Sequence, residues 1–164
     1  MPETPLDFAR VLAALNAGNV RYLLIGGLAM VSHGSAHVTQ DVDIFYARDL
    51  QNRQALVQAL ADYHPRLRGV PEGLPFFWDS RTLKDSVNLT LDTDLGAVDL
   101  LGEVAGVDFE AAWERSVVLE IYGLAVHVAA LDDLIAMKRA ANRQKDQVHL
   151  LELEALRRLT QPDD

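Results

Sequence analysis

The chain has 164 residues, of which 49% are hydrophobic, and this length and composition predict one domain with a substantial core. The absence of cysteine excludes disulfides and thiolate metal sites and is typical of a cytoplasmic protein. The formal charge of −9 argues against broad, sequence-independent binding of duplex nucleic acid. The sequence contains no run of about 18 uncharged apolar residues, so it predicts no membrane span.

The first third of the chain is predicted to alternate helices and strands. Thr4 as N-cap and Pro5 at the first helical position favour a helix start, and Gly18 is typical of its end. Hydrophobic periodicity and breaker residues then predict the following elements: a strand over 20–25, a helix over 28–33, a strand over 42–47 and a helix over 49–63.

The rest of the chain is predicted to contain two hairpins and two C-terminal helices. Turn residues dominate 66–81, and the predicted elements that follow are strands over 87–91, 97–101, 117–121 and 125–128 and helices over 131–141 and 146–159. Hairpins in place of regular βαβ units favour an α+β fold with a largely antiparallel or mixed sheet. We expect one domain over 1–164, with a helical C-terminal part at about 131–160.

Two aspartates, Asp41 and Asp43, interrupt an apolar strand. Side chains at i and i+2 of a strand point to the same face, so the two carboxylates lie together and repel each other unless water or cations intervene. Asp99 lies in a second apolar strand, and three carboxylates would converge if the two strands were neighbours. Divalent ions prefer such oxygen ligands. The alternatives are a solvated strand edge for the pair and, for Asp99, a turn cap or a pair with an arginine.

Two further features suit a phosphate ligand. Gly26 and Gly27 connect a strand to a helix, where glycines allow close backbone approach and free N–H groups attract anions. Lys138 shares an apolar helix face with Leu134 and Ile135, so a cation points inward. The alternatives are an ordinary strand-to-helix turn and a lysine that extends from the core margin to solvent.

Three segments together resemble a known family. "IGGLAMVSHGSAHVTQDVDIFY", "LTLDTDLGAVDLLG" and "LDDLIAMKRAANRQKD" are similar to the minimal nucleotidyltransferases of the DNA polymerase β-like superfamily, and most closely to the group that contains AbiE-type abortive-infection toxins. The resemblance implies a nucleotidyltransferase-like mixed sheet flanked by helices. It also implies transfer of a nucleoside monophosphate from an NTP to an acceptor, with release of pyrophosphate and with Mg²⁺ or Mn²⁺ as cofactor.

The resemblance also assigns roles to individual residues. It implies that Asp41, Asp43 and Asp99 are catalytic residues and metal ligands. The nucleotide-binding residues that it implies are Gly26, Gly27, Thr39, Lys138, Arg143 and Lys145. The chain departs from the family pattern at Gly27, where many relatives have serine, and at His37, where an arginine is common.

The acceptor and the biological role stay open at this stage. RNA such as a tRNA end, a protein side chain and a small molecule are all compatible acceptors. The resemblance suggests a toxin–antitoxin or phage-defence system with a cognate partner protein. A catalytically weak or inactive binding module that acts as an antitoxin or regulator is the alternative. The aromatic run Phe76-Phe77-Trp78 is a candidate base or acceptor pocket, or a packed loop.

Overall fold

The computed structural model describes residues 6–35, 39–71 and 73–160. Within these ranges the chain forms one seven-stranded mixed sheet flanked by helices, which confirms the predicted α+β class. The strands are Tyr22–Ile25 (β1), Asp41–Tyr46 (β2), Arg66–Leu67 (β3), Asn88–Thr93 (β4), Gly96–Leu101 (β5), Val117–Ile121 (β6) and Leu124–Val128 (β7).

The helices are short, and the longest of those described lies at the C-terminal end. A 3₁₀ turn over Ala61–Tyr63 extends the third helix. The α-helices in the described ranges are Phe8–Ala17 (α1), Gly26–Ser32 (α2), Leu50–Leu60 (α3), Ser80–Asp85 (α4), Phe109–Arg115 (α5), Leu131–Ala141 (α6) and Gln144–Thr160 (α7). None of them combines the length and the apolar character needed to cross a membrane.

The order of strands across the sheet is β3-β4-β5-β2-β1-β7-β6. Two neighbouring pairs, β2 with β5 and β1 with β7, are parallel, and the other four pairs are antiparallel. The parallel pairing of β2 with β5 places Asp43 directly opposite Asp99. The strand order therefore joins two segments that lie far apart in the sequence.

One face of the central strands belongs to the hydrophobic core. Val42 and Ile44 of β2 and Val98 and Leu100 of β5 are at most 1% exposed. Because side chains alternate along a strand, the residues between them point to the opposite face. That opposite face carries the acidic residues, so the core fixes their direction without enclosing them.

Three predictions about secondary structure were wrong in detail. Helix α1 begins at Phe8, because the Asp7 carboxylate accepts a hydrogen bond from the backbone N–H of Arg10 at 3.1 Å and caps it; Thr4 and Pro5 lie outside the described residues. The turn-rich segment contains the short strand β3 and the first residues of α4. Helix α5, capped by Asp108, was not predicted.

Candidate active site

Three carboxylates meet on the polar face of the sheet, because the two strands that carry them are neighbours, the condition that the sequence left open. Asp41 and Asp43 come from β2, and Asp99 comes from the adjacent parallel strand β5. One carboxylate oxygen of each residue lies within 4.8 Å of the others. We call these three residues the acidic triad. Its oxygens are close enough to share a divalent ion.

The acidic triad concentrates negative charge in a partly buried place. Burial, together with the charges of Asp41 and Asp99, raises the pKa of Asp43 from 3.8 to about 8. Burial and the charge of Asp99 also raise the pKa of Asp41. Carboxylates in this situation need either protons or cations. Because the donors are hard oxygens, the triad fits Mg²⁺ or Mn²⁺ better than a softer metal.

A residue that sequence reasoning did not single out, Arg68, contacts the triad directly. Its Nη2 atom donates to Asp99 Oδ1 at 2.8 Å and to the carbonyl oxygen of Leu91 at 2.7 Å. Its Nε atom donates to Asp92 Oδ1 at 3.2 Å. Pairing of Asp99 with an arginine was an open alternative to metal binding, and the structure shows this pair within the triad itself. Arg68 engages Oδ1 of Asp99, and Asp99 also shares a side-chain hydrogen bond with Asp43 that contributes to the raised pKa of Asp43.

The two glycines before the triad allow the chain to pass very close to it. Gly26 has φ +70°, and a Cβ atom there would lie 1.9 Å from Asp43 Oδ2. A Cβ atom at Gly27 would lie 2.8 Å from Thr39 Oγ1. A serine at position 27 would therefore collide with Thr39. The Thr39 hydroxyl is part of the cavity wall and donates to the carbonyl oxygen of Asp41 at 3.0 Å.

A cavity of about 460 Å³ opens over the acidic triad. We call it the polar cavity, because residues of both charges line it. Its cationic residues are Lys138, Arg143 and Lys145, and Gly26, Gly27 and Thr39 also contribute to its wall. The charge of Lys138 opposes the rise in the pKa of Asp43, and that of Lys145 opposes the rise for Asp41. The structure therefore places all nine residues named in advance around one cavity.

Two of these cations are held by a buried aspartate. Lys138 Nζ lies 3.2 Å from Asp146 Oδ1, and Arg143 Nε lies 2.6 Å from Asp146 Oδ2. Only 1% of the Asp146 side chain and 18% of the Lys138 side chain are exposed. Asp146 also accepts a hydrogen bond from the backbone N–H of Arg143, three residues earlier. It therefore fixes the start of α7 and the position of both cations.

A second cavity, of about 290 Å³, adjoins the first. We call it the apolar cavity, since Met30, Val104, Leu134 and Met137 are among its wall residues. It shares Gly26, Asp43, Leu101, Lys138 and Arg143 with the polar cavity.

The predicted aromatic pocket residues lie elsewhere. Phe76, Phe77 and Trp78 line neither cavity. Phe77 is 72% exposed, and the Trp78 indole N–H donates to the carbonyl oxygen of Val57 at 2.8 Å. Trp78 and Phe76 pack against the core, so the aromatic run is a packed loop. His37, where the family often has arginine, lies outside the described residues.

The comparisons with known proteins rest on structure alone. No family model matches the sequence, and no curated protein matches it. The lincosamide antibiotic adenylyltransferase LnuA, in a lincomycin-bound crystal structure, is similar to 93% of this chain over 99% of its own, with TM-score 0.58 and 15% identity. The antibiotic-resistance factor ANT(2'')-Ia, in solution, is similar to 93% of this chain over 88% of its own, with TM-score 0.58 and 13% identity.

Another crystal structure of ANT(2'')-Ia contains adenylyl-2''-tobramycin. A candidate nucleotidyltransferase from Thermotoga maritima has a TM-score of 0.51 and 13% identity, over 93% of this chain and 89% of its own. At these identities the likeness concerns the fold. The chain therefore has the fold of nucleotidyltransferases.

Proposed function

We propose that the protein is a metal-dependent nucleotidyltransferase, which moves a nucleoside monophosphate from an NTP to an acceptor and releases pyrophosphate. One observation carries the proposal: three carboxylate oxygens from two strands lie within 4.8 Å of one another inside a nucleotidyltransferase fold. A group of acids that is merely solvated has no need of this convergence. A site for divalent ions requires it.

Asp41, Asp43 and Asp99 would hold the divalent ions. When bound, Mg²⁺ or Mn²⁺ neutralises charge on the phosphates and on the triad and favours an in-line displacement at the α-phosphorus. The raised pKa of Asp43 supports this fit, because it results from burial of the carboxylate and from the neighbouring charges of Asp41 and Asp99. Each member of the triad offers one carboxylate oxygen to the shared site, and the hydrogen bond between Asp43 and Asp99 would give way to the metal.

The cations of the polar cavity would hold the triphosphate. Lys138 lies between the two cavities, and its ammonium is fixed by Asp146. Arg143 and Lys145 extend the positive charge along the same wall. Gly26 and Gly27 bring the backbone directly against Asp43 and Thr39, so this wall of the polar cavity would place backbone and the Thr39 hydroxyl beside the phosphates. These groups stabilise the negative charge that accumulates on the leaving pyrophosphate.

The transfer step is a displacement at phosphorus. The acceptor hydroxyl oxygen forms a bond to the α-phosphorus, while the bond from the α-phosphorus to the bridging oxygen of the β-phosphate breaks. The electron pair of the broken bond leaves with pyrophosphate. The hydroxyl proton passes to the Asp99 carboxylate.

A small molecule is the acceptor that we favour over RNA and protein. Its support is the fold likeness to LnuA bound to lincomycin and to ANT(2'')-Ia with adenylylated tobramycin. Membership of the AbiE-type group, a toxin–antitoxin or phage-defence role with a cognate protein, and a cytoplasmic location stay predictions from the sequence.

The test is label transfer from each of the four α-³²P-labelled NTPs in the presence of Mg²⁺. Acceptors are offered in three classes: a panel of hydroxyl-bearing antibiotics, total RNA and whole-cell protein. Asp41→Asn and Asp43→Asn should each lower the transfer rate by about 10³-fold or more, because metal charge stabilisation contributes several kcal/mol. Asp62→Asn, at an exposed position outside both cavities, is the matched control and should keep full activity.

Label transfer, together with thermal unfolding in the presence of NTP, decides between the proposal and its alternative. Transfer that survives in both triad variants would exclude the triad as the metal site. A folded wild-type protein that transfers no label to any class, and whose melting temperature does not respond to NTP with Mg²⁺, would instead be a binding module of this fold.

A further inference from the structure

The apolar cavity has a size and a chemistry that differ from those of the polar cavity beside it. We propose that it binds the nucleobase of the NTP, an inference that rests on the proposed nucleotidyl transfer and adds the site of base recognition. Its volume of about 290 Å³ lies just below the range of ~300–1,000 Å³ typical of ligand pockets. A space of this size suits one flat ring system better than a large acceptor.

The position of the cavity connects it to the phosphate end of the site. Gly26, Asp43 and Lys138 contribute to both cavities. An NTP whose triphosphate is held by Lys138 beside Gly26 therefore extends its sugar and base toward the apolar cavity. The base is the least polar part of an NTP, so it gains most from entering that space.

The walls of the cavity suit the face of an aromatic heterocycle. Leu134 and Met137 come from α6, Met30 comes from α2, and Val104 and Ala105 come from the loop after β5. Thioethers of methionine make favourable contacts with aromatic rings and adapt to irregular shapes. Leu134 and Met30 are at most 3% exposed, so that side of the wall is anchored in the core.

The loop that closes the cavity is a built turn. The backbone N–H of Val107 donates to the carbonyl oxygen of Val104 at 3.2 Å. Gly106 has φ +85°, and a Cβ atom there would lie 3.2 Å from the Cβ of Ala140 on α6. The turn therefore stands tightly against α6 and holds Ala105 at the cavity wall. A preformed wall favours affinity, because little ordering is needed when the base enters.

The acceptor would reach the acidic triad from a different side than the NTP. Thr90 of β4 pairs with Asp99 in the register of the sheet, and its side chain is exposed. Arg68 reaches Asp99 from the same side, across β4. This open face lies beyond Asp99, whereas the apolar cavity touches Asp43 and does not include Asp99. The two substrates thus approach from two sides, as a displacement at phosphorus requires.

The test separates the base from the phosphates. Calorimetry with Mg²⁺ measures the dissociation constants of the four NTPs and of inorganic tripolyphosphate, a probe that has no base. We expect the preferred NTP to bind more tightly than tripolyphosphate. Ala105→Trp, which fills the cavity from its exposed rim, should weaken NTP binding by about tenfold or more and leave tripolyphosphate binding unchanged.

A second cavity variant and a control outside the cavity test whether the effect is specific to the base. Met137→Ala removes the thioether without filling space and should weaken NTP binding by about 3- to 10-fold, again without affecting tripolyphosphate. Ala125→Trp, at an exposed position of β7 outside both cavities, is the matched control and should bind NTP like the wild type.

The contrary outcomes are distinct. NTP binding that equals tripolyphosphate binding, or that resists both cavity variants, overturns the base site and leaves nucleotidyl transfer standing. An unchanged NTP dissociation constant with a raised KM for the acceptor would assign the cavity to the acceptor and also overturn the inference. Failure of the wild type to bind any NTP or tripolyphosphate overturns the proposed function together with this site.

Discussion

Two aspartates at the polar cavity have pKa values that are shifted in opposite directions. Asp146 is buried, yet hydrogen bonds from Arg143 and Lys138 hold its pKa below the usual range against the opposing effect of burial. Asp43 is also largely buried, but it faces Asp41 and Asp99, and its pKa is raised to about 8. A charge that the fold already balances suits a structural role, whereas the unbalanced charge of Asp43 makes it a candidate ligand-binding residue.

Removing each of the two charges in turn should have the largest effect on stability. Asp146→Asn should lower the free energy of unfolding by about 2–3 kcal/mol, because Lys138 and Arg143 lose their anion and only Arg143 can turn to solvent. Asp43→Asn should raise it by about 1 kcal/mol at pH 8 without metal, because a repulsive charge disappears. Urea unfolding of the metal-free variants measures both.

A third aspartate provides the control for that pair. Asp133 is 5% exposed, and its carboxylate accepts from Nε and Nη2 of Arg115 at distances of 2.8–3.2 Å. It belongs to the balanced class, so Asp133→Asn should destabilise the protein like Asp146→Asn. Equal destabilisation by all three substitutions would show that Asp43 is also a structural charge and would remove the distinction.

The dependence of stability on pH should separate the two classes further. A carboxyl whose pKa is raised from 3.8 to about 8 binds more protons in the folded state than in the unfolded state between those values. Its contribution to stability is therefore fully present below the lower value and is lost as the pH rises through the upper one. We expect the metal-free protein to lose about 2 kcal/mol of its free energy of unfolding between about pH 6 and 8.

Mg²⁺ should compete with those protons. A saturating concentration should restore most of the lost stability at pH 8 and little at pH 5, where protons occupy the site. Thermal unfolding across this pH range, with Mg²⁺ and with EDTA, measures the effect. Asp43→Asn should flatten the metal-free profile and Asp146→Asn should not. A metal-free profile that rises from pH 6 to 8 would contradict the assignment.

The pair of aspartates in the triad was predictable because its determinants are local. Asp41 and Asp43 are two residues apart in an apolar strand, and period-2 alternation fixes their common face. Asp99 sits among apolar residues in a second predicted strand, so one assumption, that the strands are neighbours, was enough. That assumption holds because β2 and β5 pair in parallel, which the hydrophobic pattern alone does not specify.

The contributions of Arg68 and of the apolar cavity were not predictable in the same way. Arg68 follows a strand of two residues within a turn-rich segment, and this strand is formed by pairing with β4 rather than by its own pattern. The cavity combines Met30, Val104 and Met137 from three distant segments. Helix α5 did have a local signal, since Asp108 can cap a helix and Phe109, Ala112 and Trp113 follow it at helical spacing, but its seven residues form a short pattern.

The smallest effect concerns the boundary between the balanced and the unbalanced charges. Arg68 partly balances Asp99, and their side chains are 32% and 21% exposed. Arg68→Gln should therefore lower the free energy of unfolding of the metal-free protein by only about 1 kcal/mol. It should also strengthen Mg²⁺ binding by about fivefold, because a cation that repels the metal is removed, so the stability difference should shrink in saturating Mg²⁺. Arg66→Gln, two residues earlier in β3 and paired with Asp94, is the control and should leave Mg²⁺ affinity unchanged. Calorimetry measures the Mg²⁺ affinity of each variant. Weaker Mg²⁺ binding in Arg68→Gln would mean that Arg68 acts mainly by orienting the Asp99 carboxylate and not through the charge of its guanidinium. Asp99 would then belong to neither the balanced nor the unbalanced class.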